Sequence, residues 1–228
     1  KHRAIGLGVL GYHSLFQSKL IEFESLEAKQ LNSEIFRTLK DRSEIASRKL
    51  HVDFGYTSLR EGYANTTLMA IAPTKSSSFI HGAVSMGIEP IKSNYFIKDL
   101  AKSKTVYKNP FLECELEKHS LNTDKTWKSI LKKDGSVQHL DFPTKAVFKS
   151  FVEITPKELV LQAAQRQKYI DQSQSLNLMI DPSVSAKQIN QLYLYAWEEG
   201  VKTLYYQFSK SSAQDFARNI LECSTCEG

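Results

Sequence analysis

Three cysteines in 228 residues, Cys114, Cys223 and Cys226, are too few to hold a disulfide scaffold. They fit a reducing, intracellular setting and a cytoplasmic chain, where a close cysteine pair serves catalysis or metal binding more often than cross-linking. No apolar run reaches the roughly 18 residues of a membrane span. Lys1-His2-Arg3-Ala4 is not followed by a sustained apolar segment, so a secretory signal is not expected either. The chain starts without methionine and directly before an apolar stretch, which reads as an internal starting point. Internal repeats and low-complexity tracts are absent. A net charge of +5 is modest, and its 30 basic residues are scattered, with small clusters such as Lys132-Lys133 and no basic stripe interleaved with aromatics. Nucleic-acid binding is therefore not expected. A phosphorylated small molecule accounts for the excess equally well.

What is present is an alternation of strand and helix signals, which predicts an α/β architecture. Residues 3–9 form a short apolar strand, with Gly6 and Gly8 marking close backbone approach. Residues 25–50 carry a long helix with Leu31, Ile35, Leu39, Ala46 and Leu50 at helical spacing. Residues 67–72 make a compact buried strand, broken by Pro73-Thr74-Lys75-Ser76-Ser77-Ser78, with a helix able to start at Phe79. Residues 92–149 are polar and irregular, and Asp134-Gly135 marks a turn or hairpin. Thr155, Pro156 and Glu158 predict a capping box opening a helix. Ser185 with Gln188 predicts a second, on a helix whose apolar face is Ile189, Leu192, Tyr193, Ala196 and Trp197 and whose end is Gly200. Residues 201–206 read as a strand.

Three motifs carry candidate chemistry. Pro73, Thr74, Lys75, Ser76 and Ser77 place hydroxyls, free N–H groups and one ammonium at a strand-to-helix junction, a ready anion site. An ordinary polar turn has the same composition. Tyr205 and Tyr206 on a strand point to opposite faces, one towards a buried site and one towards a partner. Adjacent phenols suit one-electron traffic, although tyrosines also simply favour strands. Cys223 and Cys226, with two residues between them in a polar tail, suit thiol–disulfide exchange, with half a zinc site or two idle thiols as alternatives. Cys114 reads as a packed or incidental cysteine.

Taken in order, these segments resemble the large subunits of class I ribonucleotide reductases. Lys1-His2-Arg3-Ala4-Ile5-Gly6-Leu7-Gly8-Val9 is similar to a family strand usually reading KHRPIGLGV. Asn65-Thr66-Thr67-Leu68, the loop at Pro73, Gly87-Ile88-Glu89-Pro90, Ile170-Asp171-Gln172-Ser173-Gln174-Ser175-Leu176-Asn177, Gly200-Val201-Lys202-Thr203-Leu204-Tyr205-Tyr206 and the terminal cysteine pair follow at the family's order. The resemblance implies the C-terminal portion of a ten-stranded α/β barrel over residues 1–208 and a flexible redox tail over residues 209–228. It implies that Pro73, Thr74, Lys75, Ser76 and Ser77 bind a ribonucleoside diphosphate. Tyr205 would be the inner and Tyr206 the outer member of a radical-transfer pair. Cys223 and Cys226 would form a dithiol relay, reduced by thioredoxin or glutaredoxin. No cofactor or metal is expected on this chain. The family implies a dinuclear-metal radical cofactor in a separate small subunit, and ATP or dNTP effectors on N-terminal regions of the large subunit.

Departures from the family pattern are informative. Ala64 stands where arginine is common, Lys75 where a small or acidic residue is common, and one extra residue precedes Gly87. The finger-loop motif Asn-x-Cys-x-Glu is missing, and Leu112-Glu113-Cys114-Glu115-Leu116 does not supply it. The chain alone is thus expected to be inactive, with the missing parts upstream or on another chain. A second reading is a non-catalytic module that docks the small subunit and thioredoxin. A cobalamin-dependent class II reductase is disfavoured, because that class does not need paired tyrosines.

Overall fold

The computed structural model describes residues 2–100 and 103–209. Its frame is a set of four extended segments laid side by side in chain order, all parallel. Leu7 bridges Met69 and Ile71 bridges Gln174. Strand β3 (Leu178–Ile180) then pairs with β4 (Gln207–Ser209). Backbone bonds continue the ladder between these bridges, from Ile5 N to Thr67 O at 3.1 Å and from Ser175 N to Ile71 O at 2.9 Å. Parallel neighbours require crossovers, and helices supply them. Helices α1 (Tyr12–Ser18) and α2 (Leu26–Phe54) link the first two segments. Helix α3 (Lys75–Ile80), the 92–149 region and α6 (Pro156–Gln167) link the next two, and α7 (Ala186–Glu198) the last. This is the α/β pattern expected from the sequence. No helix among the described residues is long and apolar enough to cross a membrane.

Close approach explains the paired glycines. A Cβ on Gly8 would lie 2.5 Å from the Ala70 carbonyl oxygen, and one on Gly6 would lie 2.9 Å from Ala70 Cβ. Both contacts are shorter than packed atoms tolerate, so only glycine lets these strands meet.

Helix α2 starts where Ser25 accepts a bond from the Ala28 N–H at 3.1 Å and ends at Gly55, whose φ of 64° is left-handed. It runs past the expected end. Ala28, Asn32 and Phe36 are buried, with Leu31, Ile35 and Leu39 against the same core, whereas Ala46 and Leu50 are exposed. Packing on α6 thus covers its first half. In α7 the Ser185–Gln188 capping box is formed and Gly200 (φ 81°) closes the helix. Its face differs from the expectation, since Ile189, Leu192 and Ala196 turn inward while Tyr193 and Trp197 are exposed. The Thr155 box is not formed either. Thr155 N–H donates to Glu24 Oε1 at 2.9 Å, and Glu158 pairs instead with Lys29 at 2.8 Å, so tertiary partners outcompete the local cap.

The 92–149 region, irregular in sequence, has its own order. Strands β1 (Tyr95–Leu100) and β2 (Ser103–Lys108) form an antiparallel hairpin. Helices α4 (Pro110–Lys118) and α5 (Asp124–Lys132) follow, then short 3-10 turns at Lys145–Phe148 and Phe151–Glu153. Asp134-Gly135 closes α5, with Gly135 N bonded to Ile130 O at 2.8 Å, and is not a hairpin turn. A second apolar cluster of Leu112, Leu116, Trp127, Ile130, Val137, Phe142, Val147 and Phe148 fills this lobe.

Candidate functional site

The polar stretch at residues 171–177 is a row of side chains with assigned tasks. Asp171 accepts from the N–H groups of Leu68 at 2.7 Å and Met69 at 2.9 Å and from Lys40. Burial alone would raise its carboxyl, but those donors together hold it below its ordinary value. Gln172 Nε2 donates to the Ile5 carbonyl at 2.8 Å, spanning from the third segment to the first. Gln174 binds Arg166 Nε at 2.6 Å and the Ala163 carbonyl at 2.9 Å, fixing α6 on the sheet. Asn177, at the end of the row, reaches the site.

Ile71 and Ala72 deliver the chain into the loop of Pro73 to Ser77. Thr74 is left-handed (φ 49°), and its Oγ1 accepts from the Gly87 N–H at 2.7 Å. Helix α3 starts at Lys75, earlier than the Phe79 start expected, and its first intrahelical bond is Ser78 N to Thr74 O at 3.0 Å. The N–H groups of Lys75, Ser76 and Ser77 thus have no partner within the helix, and these three residues are exposed.

Beside this loop lies a cavity of about 410 Å³ between α3 and the hairpin, walled by Phe79, Met86, Pro90 and Phe96, with Lys75, Glu89 and Lys92 among its polar groups. Burial raises the Glu89 carboxyl above its ordinary value, against the pull of Asn177, Lys92 and Lys75. Burial also lowers the Lys92 ammonium; Glu89 opposes this and Lys75 adds to it. Lys92 Nζ sits 3.9 Å from the centre of the Phe208 ring, a cation–π contact.

Tyr205 and Tyr206 stand where the fourth segment begins, but not on opposite faces as alternation predicts. Their ring centroids are 4.1 Å apart at 52°, and they are 49% and 57% exposed. Regular strand starts only at Gln207, so the two-residue alternation does not apply to them. The Tyr206 phenol beside it raises the Tyr205 phenol above the ordinary value. Backbone bonds hold the pair, from Tyr205 N to Leu176 O at 2.9 Å and from Tyr206 N to Asn177 Oδ1 at 2.9 Å. Asn177 Nδ2 donates in turn to Glu89.

The structure therefore brings the loop, the Gly87–Pro90 stretch, Asn177 and the tyrosine pair to one level of the parallel segments, where the second segment ends and the fourth begins. Glu89 and Asn177 lay within motifs that the sequence displayed, yet nothing local assigned them a task. Lys92 had no sequence signal. Cys114 is exposed and free on α4 rather than packed. Cys223 and Cys226 lie outside the described residues.

Comparison with known proteins identifies the family. The family described as "Ribonucleotide reductase, barrel domain" matches residues 1–59 and 55–207. The ribonucleoside-diphosphate reductase large subunit of Invertebrate iridescent virus 6 is 40% identical over 223 residues, covering 93% of this chain and 23% of that protein. That of Invertebrate iridescent virus 3 is 37% identical over 246 residues, covering 99% and 39%. Among solved structures, the Actinobacillus ureae class Id ribonucleotide reductase alpha subunit superposes with a TM-score of 0.86 at 51% identity, covering 92% of this chain and 40% of that one. The chain thus spans well under half the length of these relatives. With nearly its whole described length matched in sequence and in fold, the chain belongs to the ribonucleotide reductase large-subunit family and supplies part of the family's barrel domain.

Proposed function

We propose that this chain works within an enzyme that reduces ribonucleoside diphosphates to deoxyribonucleoside diphosphates by thiyl-radical chemistry. Its own share is to hold the substrate's diphosphate, to pass a radical inward and to carry a dithiol relay. The observation that carries the reading is the tyrosine pair, two phenols in ring contact where the fourth parallel segment begins. An oxidant in the small subunit would take one electron from Tyr206, whose phenolic proton leaves with it. The Tyr206 radical then takes a hydrogen atom from Tyr205, restoring the Tyr206 phenol and leaving the radical on Tyr205, nearer the substrate. The exposure of both rings suits a pair that the small subunit and the rest of the large subunit cover in the assembled enzyme.

The diphosphate lies on Pro73, Thr74, Lys75, Ser76 and Ser77, bound by free N–H groups, hydroxyls and the Lys75 ammonium, since charge-assisted bonds to phosphate are among the stronger ones. Cys223 and Cys226 reduce the active-site disulfide, giving two electrons and two protons and becoming a disulfide that thioredoxin or glutaredoxin reduces. This chain holds no cofactor of its own. The dinuclear-metal radical centre belongs to the small subunit, and effectors bind N-terminal regions of the large one. Without the finger-loop cysteine the isolated chain has no thiyl radical to abstract hydrogen from ribose, and it is inactive alone.

The test replaces Tyr205 and Tyr206 singly with phenylalanine in the complete enzyme. Phenylalanine keeps ring and volume but has no hydroxyl proton and resists one-electron oxidation. Each variant is expected to fold, bind substrate and small subunit, and lose turnover. Substantial turnover in either would falsify the radical-transfer role.

A further inference from the structure

A run of hydrogen bonds joins the loop at Pro73 to the outer tyrosine. Thr74 Oγ1 accepts from the Gly87 N–H at 2.7 Å. Gly87 is itself fixed, with φ of 48° and with the Ala72 carbonyl oxygen 2.9 Å from where a Cβ would stand. Two residues on, Glu89 accepts from Asn177 Nδ2, and Asn177 Oδ1 accepts from the Tyr206 N–H at 2.9 Å. Glu89 and Asn177 are both buried, at 5% exposure each.

Two physical points give this run a purpose. The Tyr206 ring is more than half exposed, and its ring contacts are Tyr205 and, at 6.1 Å, Phe208. Little packing holds it, so its place over Tyr205 depends on how its backbone is anchored: its carbonyl accepts from the Leu178 N–H at 2.9 Å, and its N–H goes to a side chain. The anchor's own support is a buried carboxylate. An amide or a carbonyl oxygen could accept the same bond without desolvating a charge. A carboxylate here instead stands near Lys75 of the phosphate loop and Lys92, which touches Phe208 two residues beyond Tyr206.

We propose that Glu89 and Asn177 are positioning residues that tie the 73–77 loop to Tyr206 and set the Tyr206 ring against Tyr205. The inference rests on the radical-transfer reading of the pair. Neither residue touches the reacting atoms. Each acts through the backbone of Tyr206.

The test uses the complete enzyme containing this chain, with Asn177→Leu, Asn177→Asp and the exchanged pair Glu89→Gln/Asn177→Asp, and with Tyr206→Phe alongside. Asn177→Leu removes the acceptor and is expected to lower kcat on the order of 100-fold, the scale of an ångström-level misplacement, with KM for the nucleoside diphosphate unchanged. Asn177→Asp sets two carboxylates face to face and is expected to lower kcat as well. The exchanged pair puts the amide at position 89 and the carboxylate at 177, so the amide donates and the carboxylate still accepts from the Tyr206 N–H; most of kcat should return. Full kcat in Asn177→Leu, or an exchanged pair no better than Asn177→Asp, overturns the proposal. If Asn177→Leu does not fold, the exchanged pair decides. An active Tyr206→Phe enzyme removes the radical-transfer reading and this inference with it. An inactive Tyr206→Phe beside a fully active Asn177→Leu removes the positioning role alone.

Discussion

The two hydrophobic clusters of this chain differ in what they bury. The one behind the parallel segments is threaded by polar side chains: Tyr12, Asn32, Gln162, Arg166 and Gln174 are all almost or wholly inaccessible. Tyr12 Oη lies 2.9 Å from both Asn32 Oδ1 and Gln162 Oε1, and Arg166 bonds Gln174 and Asn32 with its guanidinium facing the Tyr12 and Phe36 rings. The cluster of the 92–149 lobe is aliphatic and aromatic. Its buried amides, Asn94 and Asn109, lie at its edge, Asn94 Nδ2 reaching the Gly135 and Phe148 carbonyls at 2.9 and 2.7 Å and Asn109 Nδ2 the Asn94 and Gln17 side chains at 2.8 and 3.0 Å. Apolar packing is tolerant of geometry, whereas a hydrogen-bonded core accepts only one arrangement. The difference places geometric specification behind the segments that carry the tyrosines and the 73–77 loop, and plain support in the apolar cluster of the lobe beside them.

The largest expected effect tests the lobe. Phe148 is wholly buried in an apolar surround, so Phe148→Ala should cost about 3–5 kcal/mol of stability, read from the denaturant midpoint. If the lobe is only support, KM for substrate should be unchanged in the fraction that stays folded. A shifted KM with little loss of stability would make the lobe part of the site and break the comparison.

Next in size is Arg166→Met. It leaves the Gln174 oxygen without its 2.6 Å donor, a loss of about 1–3 kcal/mol. Burial already lowers the guanidinium to about 10, so removing the charge returns some of that cost. Adding Gln174→Leu removes the orphaned acceptor but also the Gln174 Nε2 bonds to the Ala163 carbonyl and Gln167 Oε1, both 2.9 Å, so the double should lose less than the sum of the singles without regaining the wild-type value. A double variant that loses the full sum of the singles would show that Arg166 and Gln174 act independently.

How far the fold was legible follows the same division. The extended run at residues 67–72, which pairs through isolated bridges at Met69 and Ile71 rather than as a regular strand, and the limits of α7 were readable because their signals are local: an apolar run, a serine cap, a closing glycine. The lobe was not, because its pattern is short. Trp127 and Ile130 are the apolar anchors of a nine-residue helix otherwise rich in lysine, too brief for a period to emerge. The face of α7 was misread because Tyr193 and Trp197 fit the helical spacing while the inward neighbours are Ile189, Leu192 and Ala196. At the site, the loop and the tyrosines stood out by composition. The bond from Asn177 to Glu89 joins residues 88 positions apart, and no pattern in one sequence displays such a contact.

A further effect, of about 2 kcal/mol, concerns pH. His13 is wholly buried in the polar-threaded core, with Nδ1 accepting from the Ile91 N–H at 3.0 Å and, among the described residues, no partner for Nε2. Burial lowers it to about 3. The folded chain therefore holds fewer protons than the unfolded one between that value and the ordinary 6.5, and stability is lost as pH falls through this window. Between pH 7 and pH 5 the loss should be about 2 kcal/mol. His13→Asn keeps an acceptor for Ile91 and does not titrate, so its midpoint should fall less over the same range. Parallel pH profiles for the two proteins would remove His13 as the cause.

The smallest effect separates two caps that look alike in sequence. Ser185 accepts from the Gln188 N–H at 3.3 Å, and Gln188 Oε1 accepts from the Ser185 N–H at 3.0 Å, a complete reciprocal box. Thr155 with Glu158 has the same spacing, but the Thr155 side chain makes no cap bond and Glu158 is committed to Lys29. Ser185→Ala should therefore cost about 1 kcal/mol, the usual value of a working cap, and Thr155→Ala clearly less. Both positions open helices on the same core, and because Thr155→Ala also removes a methyl, Thr155→Val stands beside it as the variant that keeps the branch and loses the hydroxyl alone. Thermal unfolding of the variants side by side reads the difference. Equal losses would mean that Thr155 caps α6 after all and that the Glu24 and Lys29 contacts do not compete with the local signal.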